Sequence, residues 1–301
     1  MNKFIKLAIS LALLVFLFNW LETGVVLESL KLLSLPTLFL LIVGYALGQI
    51  VSTYKWQLIL RHTKIIKDFL RVLTAYFTGM FINSFGLGIV GGDLGRALIV
   101  ANKSERVPAI ATVVVDRIHG LLVLGLIGLI ASLFVVGKVS SLVSVASLAF
   151  TLLAVLIWLL KPSVFYGLIP TRPKFFAKLR QALDYVPRDF LVLQKITIVS
   201  VVFHLLQIFL QYLLASSLGL SIPFLVLLAT IPFINILTSL PISWNGLGVR
   251  EVAYIYFLGS YINNEQATAF GLVWLVVVTA NSAIGGLVAL LTGQKDVLSD
   301  A

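Results

Sequence analysis

Apolar runs of about 20 residues, one after another, constrain this chain more than any other feature. They recur from residue 7 to residue 291, and no polar stretch between them is long enough for a separate soluble domain. Inside a bilayer no water satisfies backbone N–H and C=O groups, so such a run has to be helical. Composition agrees, with 60% of the 301 residues hydrophobic and only 11% charged. Soluble domains carry roughly 25% charged residues. The sequence therefore predicts an all-α, polytopic integral membrane bundle, read as a single transmembrane domain over residues 1–301.

One run is interrupted. Residues 81–96 read Phe-Ile-Asn-Ser-Phe-Gly-Leu-Gly-Ile-Val-Gly-Gly-Asp-Leu-Gly-Arg. Glycine in a helix interior costs about 1 kcal/mol relative to alanine. Gly86, Gly88, Gly91 and Gly92 are therefore expected to be pivots of a broken turn between two half-helices, with the second beginning near Gly92. That turn carries Asp93 and Arg96. A second break follows an echo of the first. Phe233-Ile234-Asn235 repeats Phe81-Ile82-Asn83, and Pro241, Gly246 and Gly248 then lead to Arg250 and Glu251. Two interrupted apolar segments in corresponding places point to a transporter site.

Loop charge sets orientation, because Lys and Arg are retained on the cytoplasmic side. Lys55, Arg61, Lys64, Lys67 and Arg71 precede the first broken segment, and Lys103 and Arg106 follow it. Residues 70–105 are thus expected to form a re-entrant hairpin entering from the cytoplasm. Residues 161–188 are basic and hence cytoplasmic, with a short interfacial helix expected at 175–185. Residues 261–265 lack Lys and Arg and belong outside, so residues 221–260 should be a second hairpin entering from the external face. Full spans are expected at residues 7–20, 36–54, 108–136, 142–160, 190–218 and 267–291. The first is read as retained rather than cleaved, since no small-residue cleavage site follows it. Tyr54 and Trp56 are assigned to the interfacial aromatic belt. The expectation is about six full spans plus two oppositely oriented re-entrant hairpins related as an inverted repeat, in the cell membrane, with both termini cytoplasmic.

Several function classes drop out. The net charge of +10 sits in loops, where it meets lipid head groups rather than nucleic acid. There is no cysteine for thiol chemistry or metal ligation. Gly86-Leu-Gly-Ile-Val-Gly91 matches a dinucleotide fingerprint in letters only, because a strand should precede it. His62, His119 and His204 are far apart in sequence, so no metal site is expected. His204, Gln207 and Gln211 share one helix face and are read as interhelical hydrogen-bonding groups. Gly128 lies in a plain apolar run, where a larger side chain should be tolerated.

The intramembrane charges remain: Asp93, Arg96, Asp116, Arg117, Arg250 and Glu251. Each costs at least about 2.5 kcal/mol at the centre of a bilayer. They either pair off and staple helices together, or line a polar cavity. In the cavity reading Arg96, Arg117 and Arg250 hold phosphate through their planar forks. Asp93, Asp116 and Glu251 then orient those arginines or take an amino head group.

Three of these features in order resemble the lysylphosphatidylglycerol synthase transmembrane-region family. They are Gly91-Gly-Asp-Leu-Gly-Arg96, Asp116-Arg117 followed by Gly120, and Gly246-Leu-Gly-Val-Arg-Glu251. The resemblance covers nearly the whole chain. It implies a flippase-like domain; in multidomain relatives this region is regarded as moving aminoacylated phospholipid across the bilayer. A separate soluble domain performs aminoacyl transfer there, so that activity is not carried over. The implied function is non-catalytic translocation of an anionic or aminoacylated phospholipid, or of a polyprenyl-phosphate-linked lipid. No cofactor is implied, and no phosphate-binding loop of the G-x-x-x-x-G-K-[ST] type is present in the sequence. Membrane lipids are the expected partners, with a second copy or an envelope-lipid enzyme as further ones. The rival readings are an integral-membrane enzyme acting on a phosphorylated lipid, and a membrane partner of a cell-envelope glycosylation system.

Overall fold

Local signals in the sequence set the helix starts. Ser34 Oγ accepts from Thr37 N at 3.3 Å at the head of the first helix, and Pro36 occupies its first turn. At the head of the last helix Asn263 Oδ1 accepts from Gln266 N at 2.8 Å, and Gln266 Oε1 accepts from Asn263 N at 3.1 Å. This reciprocal box satisfies two otherwise orphaned backbone donors. The computed structural model describes residues 33–85, 88–137, 189–239 and 246–292, with isolated positions outside those ranges.

All regular elements among the described residues are helical. They are α1 (Leu35–His62), α2 (Phe69–Phe85), α3 (Gly88–Val100), α4 (Arg106–Phe134), α5 (Phe190–Ser217), α6 (Phe224–Ser239), α7 (Val249–Leu258) and α8 (Asn264–Leu291). A 3-10 turn at Lys103–Glu105 leads into α4. Helices α1, α5 and α8 have 28 residues each, and Lys103–Phe134 has 32, all long and apolar enough to cross a membrane. Helices α2, α3, α6 and α7 have 17, 13, 16 and 10 residues, short of the roughly 20 that a crossing needs. Large apolar side chains lie exposed along the outside, among them Phe39 on α1, Phe134 on α4, Ile198 on α5 and Leu287 on α8. Such a surface suits lipid rather than water.

The short helices form two hairpins. Helices α2 and α3, joined through residues 86–87, pack closely along each other. Their backbones nearly touch, since a Cβ placed on Gly79 would lie 2.8 Å from Gly92 O. This corrects one expectation. Gly91 and Gly92 are not in the broken turn but inside α3, which begins at Gly88 and also runs through Gly95. The cost of helical glycine is offset by the close packing it allows. In the second hairpin α6 and α7 pack together across residues 240–248, and here glycine has a conformational task. Gly246 and Gly248 have φ of +78° and +80°, a region that L side chains enter only with strain.

Helix α4 spans the distance between the open ends of the two hairpins. At one end Lys67, before α2, meets Glu105, before α4, with Nζ–Oε2 at 2.9 Å. At the other end Val135 belongs to the same buried cluster as Leu220 and Ile222, before α6, Leu258, the last residue of α7, and Ile262, after it. Helix α8 packs on α2, α4 on α6, α1 on α5, α3 on α4 and α7 on α8. Gly285 and Gly286 admit Phe77 and Phe81 of α2 against α8. Gly128 corrects a further expectation. A Cβ there would lie 3.0 Å from Pro232 Cβ, so it is a crossing point of α4 and α6 rather than a tolerant position.

Trp56 is also reassigned. Helix α1 continues past Tyr54 to His62, which carries Trp56 into a fully buried position rather than an interfacial belt. Residues 7–20, most of 142–160, the expected interfacial helix at 175–185, Gly86 and Pro241 lie outside the described residues.

Candidate functional site

All eight helices contribute side chains to one central cavity of about 450 Å³. Helix α1 supplies a polar stripe, Gln49, Ser52 and Lys55, at three-residue spacing. Helices α2 and α6 supply Asn83 and Asn235, the asparagines of the two echoing tripeptides. Helix α3 supplies Asp93 and Arg96, α4 supplies Asp116 and Arg117, and α7 supplies Arg250. The lining thus holds the cations Lys55, Arg96, Arg117 and Arg250 against the carboxylates Asp93 and Asp116, two positive charges in excess.

Most of these charges form one chain. Lys55 Nζ lies 2.8 Å from Asp116 Oδ1 and also donates to the Asp116 carbonyl at 3.1 Å. Asp116 Oδ2 accepts from Arg96 Nη2 at 3.0 Å. Arg96 Nε lies 3.2 Å from Asp93 Oδ1. Asp93 in turn accepts a fork from Arg117, with Nε–Oδ2 at 2.8 Å and Nη2–Oδ1 at 3.0 Å. Three helices, α1, α3 and α4, are thereby tied around Asp116 and Arg96, which are 5% and 3% exposed. Asp93 and Arg96 do form the expected i, i+3 pair, but neither belongs to the other alone.

Arg96 is also flanked by two aromatic rings that meet it on adjacent sides, their centroids 6.3 Å apart. Its guanidinium carbon lies 4.7 Å from the Trp56 ring centroid and 4.8 Å from that of Tyr76. Desolvated cation–π contacts of this kind are worth about 2 kcal/mol. Both rings are themselves anchored. Trp56 Nε1 donates to Thr112 Oγ1 at 3.0 Å, and the Tyr76 hydroxyl lies 2.9 Å from Ser52 Oγ.

Arg250 differs. It is 7% exposed and lines the cavity, and its Nε and Nη1, like those of Arg96, meet no hydrogen-bond acceptor. Among the described residues no carboxylate lies within ion-pair distance of it. Its chain neighbour Glu251 is fully buried and turned back on the start of α7, where Oε2 accepts from Gly248 N at 2.6 Å. Glu251 was expected beside the other five charges. It is a helix cap packed against Gly271 instead and does not line the cavity.

The α5 face behaves as its spacing suggests. His204 donates through Nε2 to Gly120 O at 3.0 Å, and Gln211 Oε1 accepts from the Tyr254 hydroxyl at 2.6 Å. Gln207 Nε2 and Gln211 Nε2 are buried without an acceptor. Among the described residues no group of three His, Asp or Glu is placed to hold a metal ion.

Sequence reasoning missed Lys55, which it placed in a basic connection. The signal was the Gln49, Ser52, Lys55 stripe, which reaches the cavity only because α1 runs on to His62.

Fold and site together define a multi-pass helical membrane protein built around a buried, cation-rich cavity. The chain belongs to the family described as the lysylphosphatidylglycerol synthase TM region, whose model matches residues 3–285. No curated protein matches it. Membership places the chain among membrane proteins with lipid-related functions.

Proposed function

We propose that this protein is a non-catalytic lipid translocase of the cell membrane, carrying a lipid with a phosphate-bearing head group through the central cavity. The observation that carries the reading is the cavity's excess of two positive charges inside an apolar helical shell. Three of the four cations, Lys55, Arg96 and Arg250, are buried while Arg117 is exposed, and each buried ion costs several kcal/mol to desolvate. At about 450 Å³ the cavity falls within the roughly 300–1,000 Å³ of ordinary ligand sites. The acyl tails would stay in the bilayer while the head group crosses among the helices.

An inverted repeat supports the same reading. Exchanging α1 with α5, α2 with α6, α3 with α7 and α4 with α8 converts each principal helix pair into another principal pair. In this arrangement the short helices are re-entrant hairpins entering from opposite sides, and rocking of one half against the other alternates access. The end carrying Arg61, Lys64, Lys67, Lys103 and Arg106 faces the cytoplasm under the positive-inside rule. Gly88, Gly246 and Gly248, at the ends of α3 and α7, are the pivots of this motion, and Gly91 and Gly92 are its close-packing surface.

The test is fluorescent-lipid scrambling in proteoliposomes, read by quenching of the outer leaflet. Quenching beyond one half of an anionic phospholipid probe is expected. Quenching no deeper than in protein-free vesicles would sink the proposal. Mass spectrometry of the same lipid after incubation with protein in detergent separates the enzyme reading, because a translocase returns its lipid chemically unchanged.

A further inference from the structure

The chain contains its own control for what an arginine in this cavity is for. Arg96 follows Asn83 by 13 residues, and Arg250 follows Asn235 by 15, each on the second helix of its hairpin. Helix α4 gives Arg96 an aspartate, Asp116, at 3.0 Å. Helix α8, which packs on α7 as α4 packs on α3, has no carboxylate beyond Glu265 in its first turn. Trp274, Val278 and Ser282 are what α8 presents to the cavity. The Arg250 neighbour that could have served, Glu251, is spent on Gly248 N. One arginine is therefore ion-paired to two aspartates and the other to none at similar burial, although each leaves Nε and Nη1 without a hydrogen-bond acceptor. A buried, unpaired guanidinium costs enough that it persists only where a ligand anion meets it.

The carboxylates carry the complementary half of the argument. Asp116 is held by Lys55 and Arg96, and Asp93 by the Arg117 fork and Arg96. Neither has a free side to offer an ammonium group, which would also sit among Lys55, Arg117 and Arg250. Beyond Arg250 and the ion-paired chain, the cavity-lining side chains with a buried polar atom lacking a partner are Gln207 and Gln211, at the donor Nε2, and Asn83, at the acceptor Oδ1.

From this we infer that the cavity selects a net anionic head group rich in acceptor oxygens, such as a phosphodiester with hydroxyl or carbonyl substituents. Arg250 is its anion contact, and head groups bearing an extra ammonium are rejected. The inference rests on the translocase reading for its lipid, and it excludes the aminoacylated cargo that the family's description suggests.

The experiment compares binding and movement separately, with the full chain. Binding is read as the rise in thermal midpoint in detergent on adding phosphatidylglycerol, lysylphosphatidylglycerol or phosphatidylcholine. Movement is read with fluorescent analogues of the same three lipids in proteoliposomes. Phosphatidylglycerol is expected to stabilise the protein, and to cross at least about tenfold faster than lysylphosphatidylglycerol, the discrimination that about 1.4 kcal/mol provides. Arg250→Gln is expected to lose that stabilisation while its own midpoint without lipid stays within a few degrees of the parent. Equal binding of phosphatidylglycerol and lysylphosphatidylglycerol by the unaltered protein would overturn the inference, and this arm needs no variant to fold. Retained phosphatidylglycerol stabilisation in Arg250→Gln would overturn the role of Arg250. Inorganic phosphate protecting as well as phosphatidylglycerol would assign the site to a free anion and overturn the head-group assignment. Selective binding of phosphatidylglycerol with no movement of any lipid would uphold the head-group inference and defeat the translocase reading alone.

Discussion

Arg96 and Arg250 are the same residue in two electrostatic situations, and their variants should fail differently. Removing Arg96 leaves Asp116 with Lys55 only and removes the cation beside Trp56 and Tyr76. Breaking a buried ion network by deleting one member costs roughly 3–5 kcal/mol. Arg96→Gln is therefore expected to lower the thermal midpoint sharply, whereas Arg250→Gln should unfold near the parent and lose lipid movement. A midpoint for Arg96→Gln within a degree or two of the parent would contradict the staple role. Trp56→Phe should cost about 1–2 kcal/mol, through the lost hydrogen bond to Thr112 and weaker stacking on Arg96. Chemical denaturation in detergent reads both. At this scale the sequence disclosed five of the six cavity charges, because ionisable residues stand out against apolar neighbours, and missed Lys55. It did not disclose the pairing. Asp93 and Arg96 are neighbours by spacing, but the fork on Asp93 comes from Arg117, 24 residues on, and the lysine on Asp116 comes from α1. Such partners are set by how helices cross, which no local pattern encodes.

At the scale of elements, glycine does two different things in the two hairpins. In α3 it allows approach: a Cβ on Gly92 would overlap the Asn83 side chain and Gly79 O, a backbone atom that cannot move without shifting α2. On Gly95 the nearest atom is Ile82 Cδ1 at 2.9 Å, the end of a flexible side chain. Gly92→Ala is expected to destabilise by about 1–3 kcal/mol. Gly95→Ala should be neutral, or stabilising by up to about 1 kcal/mol through helix propensity. Before α7 glycine allows conformation, and Gly248→Ala, with φ of +80°, should cost about 1–2 kcal/mol from left-handed strain alone. Equal thermal midpoints for Gly92→Ala and Gly95→Ala would remove the distinction. The existence and limits of the second hairpin were legible because its break is long and carries proline and two turn glycines, Gly246 and Gly248, on either side of Leu247. The first misled, because glycine density reads as a break when packing is ignored. Tertiary contact overrides propensity here, and α3 runs through Gly91, Gly92 and Gly95 as a continuous helix.

At the scale of the whole molecule the topology is open to direct chemical test, since the chain has no cysteine to remove. Helices α2 and α3 have 17 and 13 residues, and α6 and α7 have 16 and 10. None reaches the roughly 20 residues that a full crossing requires. In the proposed re-entrant arrangement each hairpin returns to the side from which it came. The Lys67–Glu105 ion pair, which joins both ends of the first hairpin at 2.9 Å, fits that requirement. In the proposed orientation the basic residues at this end face the cytoplasm. The segments 218–223 and 259–263 at the other end contain no Lys or Arg. Single cysteines at the exposed positions His62 and Asn102 should accordingly resist a membrane-impermeant thiol reagent in intact cells and react in inverted vesicles. Cysteines at Ser221 and Ser260, also exposed, should react in intact cells. If His62 and Asn102 label from opposite sides, α2 and α3 together cross the membrane once and the hairpin is not re-entrant. If all four label from one side, the hairpins enter in parallel and the inverted repeat is lost. Alternating access by exchange of equivalent halves would be lost with it, because only oppositely entering hairpins can open the same cavity to each leaflet in turn.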